Sequence, residues 1–204
     1  MSLWNRLLGM GLTWGMVGLV YSLSGLRGPE GAYHLQPWAL DLLLPYSTLA
    51  IWPYLSFFLL VTMGYLCAKP ADFLWMCRAV LLCALGAGLV FAFFPTTMDF
   101  PPVLGEGLSE ALLRLLIAHD AMVNCLPSLH VALSLIAAKA LGASWPDGRR
   151  LLVWLWAGLI CLSILVLRRH QIVDLLSGAL LALGAGYAAS LLRLKFRFAK
   201  EVSS

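Results

Sequence analysis

Apolar stretches close to twenty residues long recur along this chain and limit its fold more than any other feature. A helix needs about 20 residues to cross the hydrocarbon core of a bilayer, and a spanning segment must satisfy its own backbone hydrogen bonds. Read with that window, the sequence predicts six spans, at roughly 7–25, 46–68, 73–94, 129–145, 151–167 and 171–192. Turn-formers separate them: Gly28-Pro29, Lys69-Pro70, Phe94-Pro95 and Pro146-Asp147-Gly148. Composition agrees, because 61% hydrophobic and 12% charged residues leave more apolar surface than a soluble domain can hide. The expected fold is an all-α integral membrane six-helix bundle, a single domain over residues 1–204. The first span resembles a signal peptide in having Arg6 before an apolar run and Ser22-Leu23-Ser24 after it. It is expected to be a retained helix.

Basic residues set orientation. With six spans, one side carries nine: Arg6, Lys69, Arg78, Arg149, Arg150, Arg193, Lys195, Arg197 and Lys200. The other side carries four, Arg27, Arg114, Arg168 and Arg169, with Lys139 inside span four. Both termini are therefore expected in the cytoplasm, and the basic tail from Arg193 to Lys200 suits an anionic leaflet. The loop between Pro95 and Pro127 is the longest. Within it Leu108, Leu112, Leu115 and Leu116 recur at helical spacing, which predicts a short extracytoplasmic amphipathic helix between spans three and four.

Several partner classes drop out. The net charge is +4 with no Lys/Arg tract interleaved with aromatics, which argues against nucleic acid. Of the five cysteines (Cys67, Cys77, Cys83, Cys125, Cys161), only Cys125 falls in a polar loop, so they read as packing residues rather than a disulfide framework. No zinc spacing appears, and neither metal nor cofactor is expected. Haem ligation would place histidines at bilayer depth on facing helices. Instead His34, His119, His130 and His170 fall at or beyond the outer ends of the predicted spans. Gly11, Gly15, Gly178, Gly184 and Gly186 are expected to allow close helix approach.

Polar residues distant in sequence gather at one predicted membrane face. "NCLPSLHVAL" places Ser128 and His130 at the outer end of span four, and "RRHQIVDLLSG" places Arg168, Arg169, His170 and Asp174 at the junction of spans five and six. Asp99, His119, Asp120 and Asn124 lie in the loop on that side. Ionisable groups in such a position mark a functional site. His170 and Asp174 are four residues apart, so a helix stacks them on one face. A carboxylate on one imidazole nitrogen leaves the other free as nucleophile or base, though a structural hydrogen bond would use the same spacing. The neighbouring guanidiniums suit a phosphate. Pro127 fits a first helical turn, and Ser128 is either a cap or a donor to an oxyanion. His130 then has the position of a general acid.

With Pro127-Ser128-Leu129-His130 followed by Ser163, His170 and Asp174, the chain resembles the type 2 phosphatidic acid phosphatase superfamily, which includes the vanadium haloperoxidases. The second motif of that family is Pro-Ser-Gly-His, and its third reads Ser-Arg, five residues, His, three residues, Asp. The variant "NCLPSLHVA", Arg168 two before the histidine, and "FFPTTMDFPP" look like its inositol-phosphorylceramide-synthase-like branch. The resemblance covers roughly residues 72–192. It implies that His170 attacks phosphorus to form a phosphohistidine and that Asp174 orients it. His130 would protonate the departing oxygen and then activate water or an acceptor alcohol, without a metal. Ser128 and nearby cations would hold the phosphoryl oxygens. Asn124, in the loop on the same side, is a further candidate for substrate binding.

Two positions depart from the pattern: Ile164 follows Ser163 where arginine is expected, and Phe100 stands where arginine would precede Pro101. A phosphate-holding cation must then come from Arg168, Arg169 or Arg114. The leading expectation is a membrane lipid phosphatase acting on a lipid phosphate or phospholipid at the extracytoplasmic face. A head-group phosphotransferase using the same site is the alternative, and an inactive lipid-binding bundle a more distant one.

Overall fold

The computed structural model describes residues 1–26 and 28–202, with side chains through Leu192. Arg27 and the side chains of the basic tail used above for orientation lie outside the described residues. The chain is mostly helical. Its helices are α1 (Leu3–Gly25), α2 (Ala39–Leu43), α3 (Ile51–Cys67), α4 (Pro70–Phe93), α5 (Leu108–His119), α6 (Leu129–Gly142), α7 (Asp147–Val166) and α8 (Ile172–Val202). Among the described residues, five helical stretches are long and apolar enough to cross a membrane: Leu3–Gly25, Thr48–Cys67, Pro70–Phe93, Asp147–Val166 and Ile172–Leu192. That is consistent with an integral membrane protein.

Local chemistry sets the ends. Ser2 caps α1 by accepting the Asn5 N–H at 3.3 Å, and α4 opens on Pro70, whose missing N–H costs nothing in a first turn. Arg6 donates to the carbonyls of Tyr65 and Ala68, both at 2.7 Å, where the end of α3 leaves acceptors unfilled.

The expected span at 129–145 differs. It forms α6, 14 residues long and so roughly 21 Å, well short of a ~30 Å hydrocarbon core. Yet Leu129, Val131–Ser134, Ile136–Ala138 and Ala140–Gly142 are all buried. The reason is position: α6 packs against α3, α4, α7 and α8 at the centre of the bundle. A helix enclosed by protein need not match the thickness of lipid.

α5 occupies the stretch expected to be amphipathic, but the residues it buries are Ser109 and Leu113, while Leu108 and Leu115 are exposed. Thr48 and Trp52 hold it to the start of α3, donating to Glu110 at 2.5 Å and to the Ser109 hydroxyl at 3.1 Å. Two short strands were not foreseen. β1 (Tyr33–His34) pairs in parallel with β2 (Thr96–Thr97), and Thr96 bridges to Asn124. They lash together three connecting segments at the end of the bundle where α6 and α8 begin. Cys125 lies in this lashing and is buried rather than exposed, whereas Cys67 is the exposed cysteine.

Of the glycines expected at close approaches, Gly178 and Gly186 are at them. A Cβ on Gly178 would meet the Ser128 carbonyl oxygen at 2.4 Å, and one on Gly186 the Trp75 ring at 2.9 Å. Gly11, Gly15 and Gly184 would meet nothing within 4 Å. The glycine face of α1 is thus open, because α1 seats on α4 by a different face.

Candidate active site

Histidine 130 enters the site through a local start signal. Ser128 is the N-cap of α6, its hydroxyl accepting the Val131 N–H at 3.4 Å, and the Leu126–Pro127 peptide before it is cis. His130 therefore falls in the first helical turn, with its ring centroid 4.9 Å from both Tyr54 and Phe57 of α3. The Tyr54 hydroxyl is 2.8 Å from His130 Nε2.

Histidine 170 lies in the turn between α7 and α8. Its Nδ1 is 3.3 Å from Asp174 Oδ2, which also accepts the Gln171 N–H at 2.9 Å. Asp174 is fully buried, and its Oδ1 has no partner among the described residues. The imidazoles of His130 and His170 come within 6.0 Å, centroid to centroid, with planes at 60°. A backbone bond joins their segments, the Ser128 N–H donating to the Asp174 carbonyl at 3.2 Å.

The three candidate cations have different fates. Arg169 is buried beside the histidine turn, its Nη2 2.6 Å from Asp120 Oδ2. Its guanidinium lies 4.3 Å over the Phe100 ring, and its buried Nε has no partner among the described residues. Arg168 adopts a left-handed backbone with φ 53° and turns its side chain to the carbonyls of Asp41 and Leu44. Arg114 donates to the carbonyls of Val103 and Gly105, folding over its own loop rather than toward the imidazoles. Phe100, the position that departs from the family pattern, is thus the ring on which Arg169 rests. Cation and aromatic face attract one another in this arrangement.

Asn124 and Ser128 are both buried. Asn124 donates to the Tyr21 carbonyl at 3.4 Å while its Oδ1 lacks a partner among the described residues. The Ser128 hydroxyl is engaged in the cap. Ser163 bonds back to the Ile160 carbonyl at 2.6 Å, and the Ile164 carbonyl accepts the Arg169 N–H at 3.0 Å.

The sequence reading missed Tyr54 and Tyr21. The Tyr21 hydroxyl donates to the second oxygen of Asp120. Burial would raise the Asp120 carboxyl, but the Arg169 charge and the bonds from Tyr21 and Arg169 outweigh it and hold the group below its ordinary value. A tyrosine in an apolar run carries no sign of which helix it will face, so no signal in one sequence marks either residue. Asp41 was also unassigned: buried, it accepts the Trp38 and Ile172 N–H groups, both at 2.8 Å, and ties α2 to the start of α8.

Two cavities flank the imidazoles. One, of about 310 Å³, reaches His130 between α1 and α3 and is lined by Trp14, Tyr21, Tyr54, Phe57 and Asp120. The other, of about 360 Å³, reaches His170 and is lined by Tyr46, Asp99, Phe100, Arg168 and Gln171. The first is walled largely by carbon and the second carries more polar edges.

Apolar helices long enough to cross a membrane, around ionisable groups buried at one end, are consistent with an integral membrane protein that carries a polar site. The chain belongs to the PAP2 superfamily, whose family model matches residues 34–188. Membership suggests phosphatase-type activity on phosphorylated lipids or small molecules. No curated relative and no solved structure matches the chain.

Proposed function

We propose that this protein cleaves the phosphate ester of a membrane lipid through a phosphohistidine intermediate. The observation that carries the reading is the pair of imidazoles 6.0 Å apart, one of them held by the buried Asp174. Asp174 on Nδ1 leaves Nε2 of His170 free to attack phosphorus. A P–N bond forms, the P–O bond to the lipid alcohol breaks, and His130 gives its proton to the departing oxygen. In the second half His130 takes a proton from water, the hydroxide attacks phosphorus, and the P–N bond breaks. Arg169 stabilises the phosphoryl oxygens as charge shifts, and Ser128 and Asn124 shape the wall behind them. No metal takes part.

In this reading α6 is the fourth of six helices in a membrane bundle, and α5 lies in the interface with Leu108 and Leu115 toward lipid. The nine-to-four distribution of basic residues puts the termini in the cytoplasm and the site on the extracytoplasmic side. The cavity at His130, open to α1 and α3, takes the hydrocarbon of the substrate. The second cavity, at His170, favours a second reading, transfer of the phosphoryl group to an acceptor alcohol as in the inositol-phosphorylceramide-synthase-like branch. Ile164 is a departure that branch tolerates, whereas Phe100 stands where its arginine is expected.

The test is to incubate purified protein with lipid phosphate labelled on phosphorus, with and without a lipid alcohol. Free labelled phosphate supports hydrolysis, a new labelled phospholipid supports transfer, and neither product overturns the reading. Quenching within one turnover is expected to trap acid-labile, alkali-stable label on His170.

A further inference from the structure

Lys139 sits toward the opposite end of α6 from His130, roughly 14 Å along the axis, and the reaction at the imidazoles does not use it. Its ammonium rests 4.5 Å over the Trp75 ring. That ring is fixed from α8, its N–H donating to the Gly186 carbonyl and the Ser190 hydroxyl, both at 3.0 Å. A Cβ on Gly186 would meet the ring at 2.9 Å, so the missing side chain is what admits it. Beside it lies a cavity of about 190 Å³ lined by Trp75, Ile136, Lys139, Trp154, Ala182 and Leu183. Trp75, Ile136 and Ala182 are buried and floor the cavity, whereas Lys139, Trp154 and Leu183 are exposed at its rim.

The ion pairs among the described residues join other groups, and none reaches Lys139. An aromatic face attracts an ammonium from one side, but the group has three N–H donors to satisfy. A lysine that merely snorkels draws its charge out to the interface, whereas this one is turned onto a buried ring. The Trp154 indole N–H also has no hydrogen-bond partner among the described residues. Its nitrogen would lie 3.7 Å from a Cβ on Gly142, one turn along α6 from Lys139. Arg150 donates to the Gly142 carbonyl at 3.2 Å and so brings a second cation to this end, with exposed Asp147 3.4 Å from it.

We propose that this groove binds one anionic phospholipid from the leaflet opposite the imidazoles, at a site separate from the reaction. The lipid phosphate accepts hydrogen bonds from the Lys139 ammonium and the Trp154 N–H, and an acyl chain lies against Ile136, Ala182 and Leu183. A basic pocket between membrane helices suits such a head group. The remaining walls are carbon. A free phosphate ion would lose its water there for too few bonds, whereas a lipid adds the burial of its chain.

Native mass spectrometry of the purified full chain in detergent, with dioleoyl phosphatidylglycerol or dioleoyl phosphatidylcholine added, counts the lipids retained. Ammonium acetate at about 0.5 M screens the exposed charges. Wild type is expected to hold one phosphatidylglycerol per chain, in at least about fivefold excess over phosphatidylcholine, the effect of one basic residue near an anionic lipid. Lys139→Met should lose that preference and Lys139→Arg should keep it. Arg149→Gln, which removes an exposed charge at the same end, should keep it too. A wild type indifferent to head-group charge overturns the proposal whether or not the variants fold. A preference lost in His170→Ala but kept in Lys139→Met puts the lipid at the imidazoles and overturns it as well. Displacement of the lipid by equimolar glycerol phosphate would show a site for the free ion instead. Phosphatidylglycerol brominated on its acyl chains should quench tryptophan emission more in wild type than in Trp154→Phe. Equal quenching in the two would place the lipid outside this groove.

Discussion

The backbone N–H of Ser128 donates to the carbonyl of Asp174 at 3.2 Å, joining the first turn of α8 to the residue that starts α6. Ser177 donates its hydroxyl to the same carbonyl at 2.9 Å. The separation of His130 and His170 is thus set by main-chain bonding between two segments about forty residues apart. Gly178 makes the approach possible, since a Cβ there would meet the Ser128 oxygen at 2.4 Å. Gly178→Ala is expected to force the helices apart, costing about 1–3 kcal/mol of stability and lowering turnover at least tenfold by spreading the imidazoles. Thermal unfolding in detergent and a phosphate-release assay check both effects.

Substitution separates the two histidines from their supporting tyrosine. His170→Ala and His130→Ala are each expected to abolish turnover with the fold retained. Tyr54→Phe removes only the hydroxyl 2.8 Å from His130 Nε2 and should lower kcat by about tenfold. Wild-type rates in either histidine variant would refute the assigned roles.

Arg169→Ala leaves the mostly buried Asp120 without its cation, an arrangement that costs up to about 3–5 kcal/mol. Arg169→Lys keeps a charge but loses the planar guanidinium over Phe100. The alanine variant is expected to unfold at markedly lower temperature, and the lysine variant to fold but turn over slowly. Equal melting temperatures for wild type and Arg169→Ala would contradict the pairing.

Acid should act through the same pair. The Asp120 carboxyl is held below its ordinary value in the fold. Its contribution is therefore fully present above the unfolded-state pKa, about 3.9, and fades as pH falls through the lowered native value. Melting temperature measured down the acid side should drop in wild type over that window. Asp120→Asn should lack that component.

The cavity at His130 offers a handle on lipid recognition. Gly18 lines it, and an added Cβ there would meet nothing within 4 Å. Gly18→Leu should fold normally, fill part of the cavity and depress turnover of long-chain substrates more than short ones. A chain-length profile of turnover identical to wild type would remove the cavity from substrate binding.

Chelation gives the last check. In the proposed mechanism no step uses a metal, so turnover in excess EDTA is expected to match the untreated rate.

Periodicity and length made most of the membrane helices legible, because a bilayer imposes its thickness on any segment that faces lipid. At α6 they gave a longer stretch than the 14-residue helix that forms among protein neighbours, and they gave no sign of α2 and the two short strands. Those elements are held by partners as distant as Thr96 and Asn124, and no local pattern announces them. The glycines of α1 misled for a related reason. Gly11 and Gly15 look like packing notches in sequence, but which face of a helix meets its neighbour is decided by the whole bundle.

Sequence alone determined that the chain is apolar, helical and punctuated by one set of ionisable residues too costly to keep near lipid without a use. A separation of four residues was enough to pair His170 with Asp174, although His170 sits in the turn before α8 rather than on the helix. Tertiary structure decided everything that depends on separate elements meeting: the distance from His130 to His170, Tyr54 against His130, and the choice among three arginines. Arg168, Arg169 and Arg114 are chemically equivalent in a string of letters. Only folding spends Arg168 and Arg114 on backbone carbonyls and sets Arg169 between Asp120 and Phe100, because hydrogen-bond partners are assigned by proximity in space, not by order along the chain.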